Sequence, residues 1–443
     1  MAIPRRTVLV AVSGAMVVAV AILALLAKPD RYRPQMIAYL EKKTGRQIEI
    51  GHLGMSLFPT LSIRLSDFGW KNPPPFPAGY VLKAPVVDAQ VDVSALLRGR
   101  VAIKLLVLTD PVINIIEDPD GLWNFEIPAV AGQPKPSPNP APFSLGAITK
   151  VQIRGGRLLG SSLIDPSDRP GPIVFDANDI SAGLRQLDAG TATGTAKWVV
   201  EQGGFKAASV RLGSIPTTNV RSKLRIEGKQ VFFDNFSVEA HGGKAMGDFS
   251  FNLAGKNPSF NSDTQLSGVD VAFLLAQFPD GRGKMTGKMQ GTLKLDGEIE
   301  HTSDPLQHIH GSGNLTIRDG ELPTLNQNKD MQKMTRFRDP AFASRPPSSF
   351  SSFSADLNLA NRRVFSHEIN VAFYGVDVRC SGSLGLTGGG GLNYKGVAMV
   401  IKKQGFFTNM FSRIEGAKLE NGKLAFPIQI EGTLESPKFS VVN

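Results

Sequence analysis

Charged residues make up 20% and hydrophobic residues 42% of the 443-residue chain, which excludes a disordered polymer and leaves enough apolar side chains to line a large interior. Its 46 glycines and 30 prolines exclude a helical bundle, because these residues punctuate strands and turns. The formal charge of +10 serves either solubility or attraction to an anionic surface; it comes without the Lys/Arg run of a nucleic-acid arm, so nucleic acid is set aside as a partner and, with the apolar run near the N-terminus, anionic lipid is the surface favoured.

In chain order, the first element is an uncharged run from Thr7 to Ala27. As a helix it would span about 31 Å, enough to cross a hydrocarbon core. Arg5 and Arg6 precede it; Lys28, Arg31 and Arg33 follow. A cleaved signal peptide would use Ala19-Val20-Ala21, but the apolar run continues through Leu26, longer than a signal core. The expectation is a single-pass anchor in residues 1–30, N-terminus cytoplasmic, with the body on the far side.

Residues 31–130 open with a helix over Pro34–Thr44, where Met36, Ile37 and Leu40 share a face and Gly45 suits the stop. The period then becomes two, with Leu61, Ile63 and Leu65 alternating against Ser62 and Arg64. Asp118-Pro119-Asp120-Gly121 reads as a turn. Residues 131–142 are Pro-rich and can form neither helix nor ladder, so a boundary is placed there.

Residues 143–443 repeat the two-residue period. The apolar members are Phe236 and Val238; Phe249, Phe251 and Leu253; Leu293 and Leu295; Leu315 and Ile317; Phe353, Leu357 and Leu359; Val376 and Val378; Ile428 and Ile430. Each set has polar residues between, as in antiparallel strands with one dry face. Ile153–Leu158, Ile317–Leu322 and Leu419–Leu424 each carry Gly-Gly, Asp-Gly or Asn-Gly at the centre and are expected to be hairpins. Glycines 247, 291, 313, 382 and 432 precede apolar strand residues and suit bends. Helices are expected only over Val269–Phe278, Thr324–Phe337 and Gln404–Ile414.

No constellation for catalysis stands out, and no cofactor or metal is expected. His308 and His310 share a strand face near His301, but no acidic or thiol partner is close in sequence. Glu117, Asp118 and Asp120 lack the acidic spacing of a calcium loop. Gly388–Gly391 is not followed by Lys and Ser/Thr, so it is no phosphate loop. Cys380, the one cysteine, alternates with valines as a buried structural thiol would. The reading is of a protein that is not an enzyme.

Several stretches carry a family resemblance. Leu40–Trp70 (LEKKTGRQIEIGHLGMSLFPTLSIRLSDFGW) follows the anchor; Gly121–Phe125 reads GLWNF; Gly313–Leu322 reads GNLTIRDGEL; Pro427–Phe439 reads PIQIEGTLESPKF. In this order they resemble the AsmA family, itself similar to chorein-type bridge-like lipid transfer proteins. The resemblance implies a bacterial inner-membrane anchor, a periplasmic body and a curved antiparallel sheet with an apolar groove. It also implies a part in phospholipid movement and outer-membrane homeostasis, and it carries no catalytic residues. About 20 strands at about 4.8 Å would give a groove of about 100 Å, short of an envelope, which implies another envelope protein or a second copy as partner, or a role confined to the inner-membrane side. Alternation alone leaves two architectures open: an open groove, or a closed β core belonging to an anchored scaffold that carries no lipid.

Overall fold

The computed structural model describes residues 28–442, except 97–100, 119–121, 126–144, 163–172, 189–196, 201–203, 213–214, 255–257, 278–280, 299–306, 335–336, 387–389, 402–417, 421–422 and 434–435. The apolar run 7–27, the Pro-rich run 131–142 and the helix expected over Gln404–Ile414 lie outside the described residues. Among the described residues no helix is long and apolar enough to cross a membrane. The chain is mainly β with a few short helices, and it divides into two compact units, Met1–Ala208 and Ser209–Asn443.

Unit 1 comprises α1 (Arg33–Thr44), β1 (Ile48–Glu49), β2 (His52–Ser56), β3 (Ser62–Lys71), β4 (Tyr80–Val91), α2 (Val93–Leu96), β5 (Val101–Thr109) and β6 (Val112–Glu117). It continues with β7 (Leu145–Ile148), β8 (Lys150–Ser162), β9 (Ile173–Asp188), β10 (Lys197–Val200) and β11 (Phe205–Leu212), within which the division falls. Helix α1 stops at Gly45, whose φ of 66° lets its N–H reach the Glu41 carbonyl. Met36, Ile37 and Leu40 pack on Ile48, Ile50, Leu53 and Leu65, so the helix dries one face of β1–β3.

The expected antiparallel pairing is broken at β7 and β8. Strand β8 lies parallel to β5 and to β6, and β7 lies parallel to β5. A parallel return needs a crossover of a dozen residues or more, and the stretch from β6 to β7, which contains the Pro-rich run, is long enough. The strands on either side of that run therefore belong to one unit.

Asn124 explains part of the GLWNF motif. It is fully buried. Its Oδ1 accepts from the Ile116 N–H at 3.0 Å, and its Nδ2 donates to the Asn114 carbonyl at 2.8 Å and to Asn72 Oδ1 at 3.0 Å. A buried amide is tolerated when both its ends are satisfied, and here one side chain ties three segments together. Just before it, the Leu122 N–H donates to Asp118 Oδ1 at 2.8 Å.

Unit 2 runs β12 (Ile215–Glu227), β13 (Gln230–Ala240), β14 (Gly243–Asn252), β15 (Ser259–Asp270), α3 (Val271–Leu275), β16 (Thr286–Glu298), β17 (Ile309–Glu321), α4 (Lys329–Met334) and β18 (Ser349–Ala360). Then come β19 (Arg363–Phe373), β20 (Val376–Gly385), β21 (Gly391–Val400), β22 (Lys418–Glu420), β23 (Lys423–Thr433) and β24 (Pro437–Val441). From β12 to β21 each strand pairs antiparallel with the next; β21 then pairs with β23, and β23 with β24.

Two of the three expected hairpins are something else. Ile153–Leu158 and Ile317–Glu321 lie inside β8 and β17, where Gly155 (φ 68°) and Asp319 (φ 50°) accompany register shifts. A residue able to adopt the left-handed region serves a bulge as readily as a turn. The third is a hairpin, with Glu420 facing Lys423 across two residues. Tight turns also occur at His241-Gly242 and Asn361-Arg362, all four with positive φ. The helix expected over Thr324–Phe337 is two pieces, a 3-10 turn at Pro323–Leu325 and α4, because the Asn328 side chain caps the second by accepting from Asp330 and Met331 N–H.

Gly291 shows why glycine precedes the apolar residues. Its φ is +154°, and a Cβ there would stand 2.0 Å from the Asn314 carbonyl oxygen on the neighbouring strand.

Candidate functional site

Register places the alternating apolar residues of unit 2 on one face. Phe251 faces Val231 on β13 and Phe260 on β15, and Phe249 faces Phe233. Leu295 faces Ser262, Leu293 faces Thr264 and Gly313, and Leu357 faces Gly313 from the far side. Farther on, Phe353 faces Val371, which faces Val378. Leucines set against glycines keep the strands close while the face stays apolar.

What covers this face changes along the sheet. Around β17–β24 it is a dry core. Phe350 is fully buried, and Ile317, Val376, Val378, Phe426, Ile428 and Phe439 are buried with it. Leu325, Met331 and Phe337, from the segment between β17 and β18, pack on it, as does Val271 of α3. Of the expected lining, Ile317, Val376, Val378 and Ile428 are inside this core, and Leu315, Phe353, Leu357 and Ile430 pack against it. Cys380 is buried there too; burial pushes its thiol up to about 11 and the nearby Tyr394 hydroxyl up to about 12.

On β13–β16, away from Val269 and Met289, which are buried in that core, the same face is open. Phe236, Val238, Phe249, Phe251, Leu293 and Leu295 are half-buried and stand outside both core clusters of described residues. The rings touch one another: Phe249 and Phe251 are 4.5 Å apart edge to face, Phe249 and Phe260 stack at 6.3 Å, and Phe233 lies 6.4 Å from Phe249. At the strand ends is a cleft of about 480 Å³ lined mainly by residues that register places on the opposite face, among them Phe232, Ser250, Asn261, Asp296 and His310, together with Phe251 and Phe260. Leu253 and Leu359 are half-buried near the strand ends. The opposite sheet face is polar, where Lys294 pairs with Asp263 at 2.9 Å.

In unit 1, Leu65 is buried under α1, Ile63 packs on that core and Leu61 is half-buried beside the β2–β3 turn. Sequence reasoning missed Val231, Phe233 and Phe260. Along β15 the face reads Phe260, Ser262, Thr264, Leu266, too polar for alternation to stand out. Among the described residues no three metal-capable side chains converge.

Unit 2 is thus a β-sheet with one apolar face, part packed as core and part open, and unit 1 is a smaller sheet under an amphipathic helix. Residues 4–158 match the AsmA family model, so that stretch of the chain is similar to the AsmA family. No curated protein matches the chain, and no solved structure does.

Proposed function

We propose that the chain is a membrane-anchored, periplasmic lipid-binding and transfer protein that takes phospholipid acyl chains onto the open apolar face of β13–β16, in support of outer-membrane lipid homeostasis. The observation that carries this reading is the four-phenylalanine cluster, half-exposed on a face that elsewhere in the same unit is packed dry. Each methylene left in water costs about 0.8 kcal/mol, so one acyl chain crossing water costs on the order of 10 kcal/mol. A guest chain and this face remove that cost from each other.

Four strands at about 4.8 Å spacing span about 14 Å. One leaflet of a bilayer has about 15 Å of hydrocarbon, half of about 30 Å. The open face therefore fits one lipid's tails, well short of the groove of about 100 Å that alternation alone suggested, because protein already covers the face around β17–β24.

The test is photocrosslinking in living cells with the full chain. Benzoylphenylalanine replaces Phe251 or Leu293, or Lys294 on the polar face as control, and adducts are identified by mass spectrometry. Phospholipid adducts at 251 and 293 but not at 294 are expected. Equal adducts at all three, or none, would favour an anchored scaffold that carries no lipid.

A further inference from the structure

Phe58 is 88% exposed, far above every other large apolar side chain among the described residues in the chain, and Leu57 beside it is 48% exposed. They form the turn between β2 and β3. The β3–β4 register sets Ser62 against Gln90, and Val91 N–H donates to the Leu61 carbonyl at 2.9 Å. Val93, 49% exposed, therefore lies at the same end of the unit 1 sheet. Water-exposed apolar side chains gathered at one end of a sheet point to an apolar or interfacial neighbour.

The segment entering unit 1 says which neighbour. Helix α1 runs antiparallel to β1–β2: Glu41 accepts from Ile48 N–H, Arg33 donates to the Gly51 carbonyl, and Asp30 accepts from Leu53 N–H at 2.9 Å. Each step toward the N-terminus moves one step along β2 toward the Leu57-Phe58 turn. The same hydrogen bond from Leu53 holds the Asp30 carboxyl below its ordinary range, opposed by burial and aided by Arg33 and His52. Lys28 is the outermost described residue, and the uncharged sequence Thr7–Ala27 precedes it. Lys28 and Arg31 are exposed on this segment, and Tyr32, an amphipathic ring, is 38% exposed. Cations and an aromatic polar at its tip on the entering segment, together with an apolar side chain in water at the turn toward which that segment runs, are the mix that favours a bilayer's headgroup layer.

We infer that the Leu57-Phe58 turn seats in the interfacial layer of an anionic lipid bilayer, giving unit 1 a second hold beside the anchor. This rests on the reading of 7–27 as a membrane anchor. The two contacts together fix the unit against the surface, since a single flexible tether leaves a body free to rotate.

The full chain, carrying Phe58→Cys or Leu122→Cys, is labelled with an environment-sensitive nitrobenzoxadiazole dye. Leu122 is also 54% exposed but lies apart from the turn, beside Asp118. The wild-type chain, with Cys380 buried, serves as the labelling blank. The chains are reconstituted into vesicles of phosphatidylethanolamine and phosphatidylglycerol and floated on a density gradient. The expected result is flotation of both, with emission at 58 shifted to the blue and quenched by a lipid spin-labelled near its headgroup, and no quenching at 122. Flotation with equal quenching at the two sites, or none at 58, overturns the turn's insertion and leaves the anchor standing. Failure to float overturns the anchor and the inference with it.

Discussion

Two stretches of one apolar face in unit 2 have opposite fates. Around β17–β24, Phe350 and its neighbours are sealed beneath Leu325, Met331 and Phe337, whereas on β13–β16 Phe249, Phe251 and Leu293 stay half in water. The side-chain chemistry is the same and the strand pairing is the same. What differs is the connection: the segment between β17 and β18 supplies a 3-10 turn and a short helix that dry the core, and α3 between β15 and β16 brings Val271 onto it, while β13–β14 is joined by the two-residue turn His241-Gly242. The same alternation thus builds stability in one place and leaves a binding face in the other.

The sharpest break of that comparison is a pair of truncations. Phe350→Ala should cost about 3–5 kcal/mol, the usual cost of emptying a large aromatic site in a core. Phe251→Ala should cost under about 1 kcal/mol, because its neighbourhood is already half solvent. Denaturant melts of the full chain would read both, and equal costs would mean the two stretches are packed alike. Next in size, Gly291→Ala should cost about 1–3 kcal/mol, since its backbone angle and the Asn314 carbonyl both oppose a Cβ.

Smaller is the cap of α3, which carries Val271 into the core. Asp270 accepts from Ala272 and Phe273 N–H, and Lys288 pairs with it at 3.1 Å. Burial alone would raise its carboxyl; Lys288 and the two N–H groups outweigh burial and hold it below its ordinary range. Its contribution is therefore full above about pH 4 and is lost as pH falls through the lowered folded value. Asp270→Ala should cost about 1 kcal/mol at neutral pH and shrink toward nothing in acid, seen as converging melts of variant and wild type below pH 4. Smallest of all, Cys380 should resist alkylation at pH 8 in the native chain and react only on unfolding, because burial holds its thiol near 11.

The face itself was legible from residues: Phe249 with Phe251, Leu293 with Leu295, and Val376 with Val378 announced their strands by period alone. What covers the face was not, because alternation marks the dry side of a strand and carries nothing about the element that dries it. The parallel return of β8 beside β5 and β6 depends on contacts between strands on opposite sides of a long crossover, which leave no local period. The two mistaken hairpins fail for a local reason: Gly155 and Asp319 satisfy a left-handed requirement shared by turns and bulges. Phe260 escaped notice because Ser262 and Thr264 dilute its strand.

Sequential pairing in unit 2 has a consequence for how such a sheet can change length. From β13 to β20 both partners of every strand are its sequence neighbours, so none of these strands depends on a distant one for its place in that order. Duplicating one hairpin would add two rungs, about 10 Å of face, and leave the register of every other pair untouched. Unit 1 has no such freedom, since an insertion between β6 and β8 must still return to the same edge. The second unit is an extensible ruler, and its reach is a quantity that gain or loss of hairpins can set.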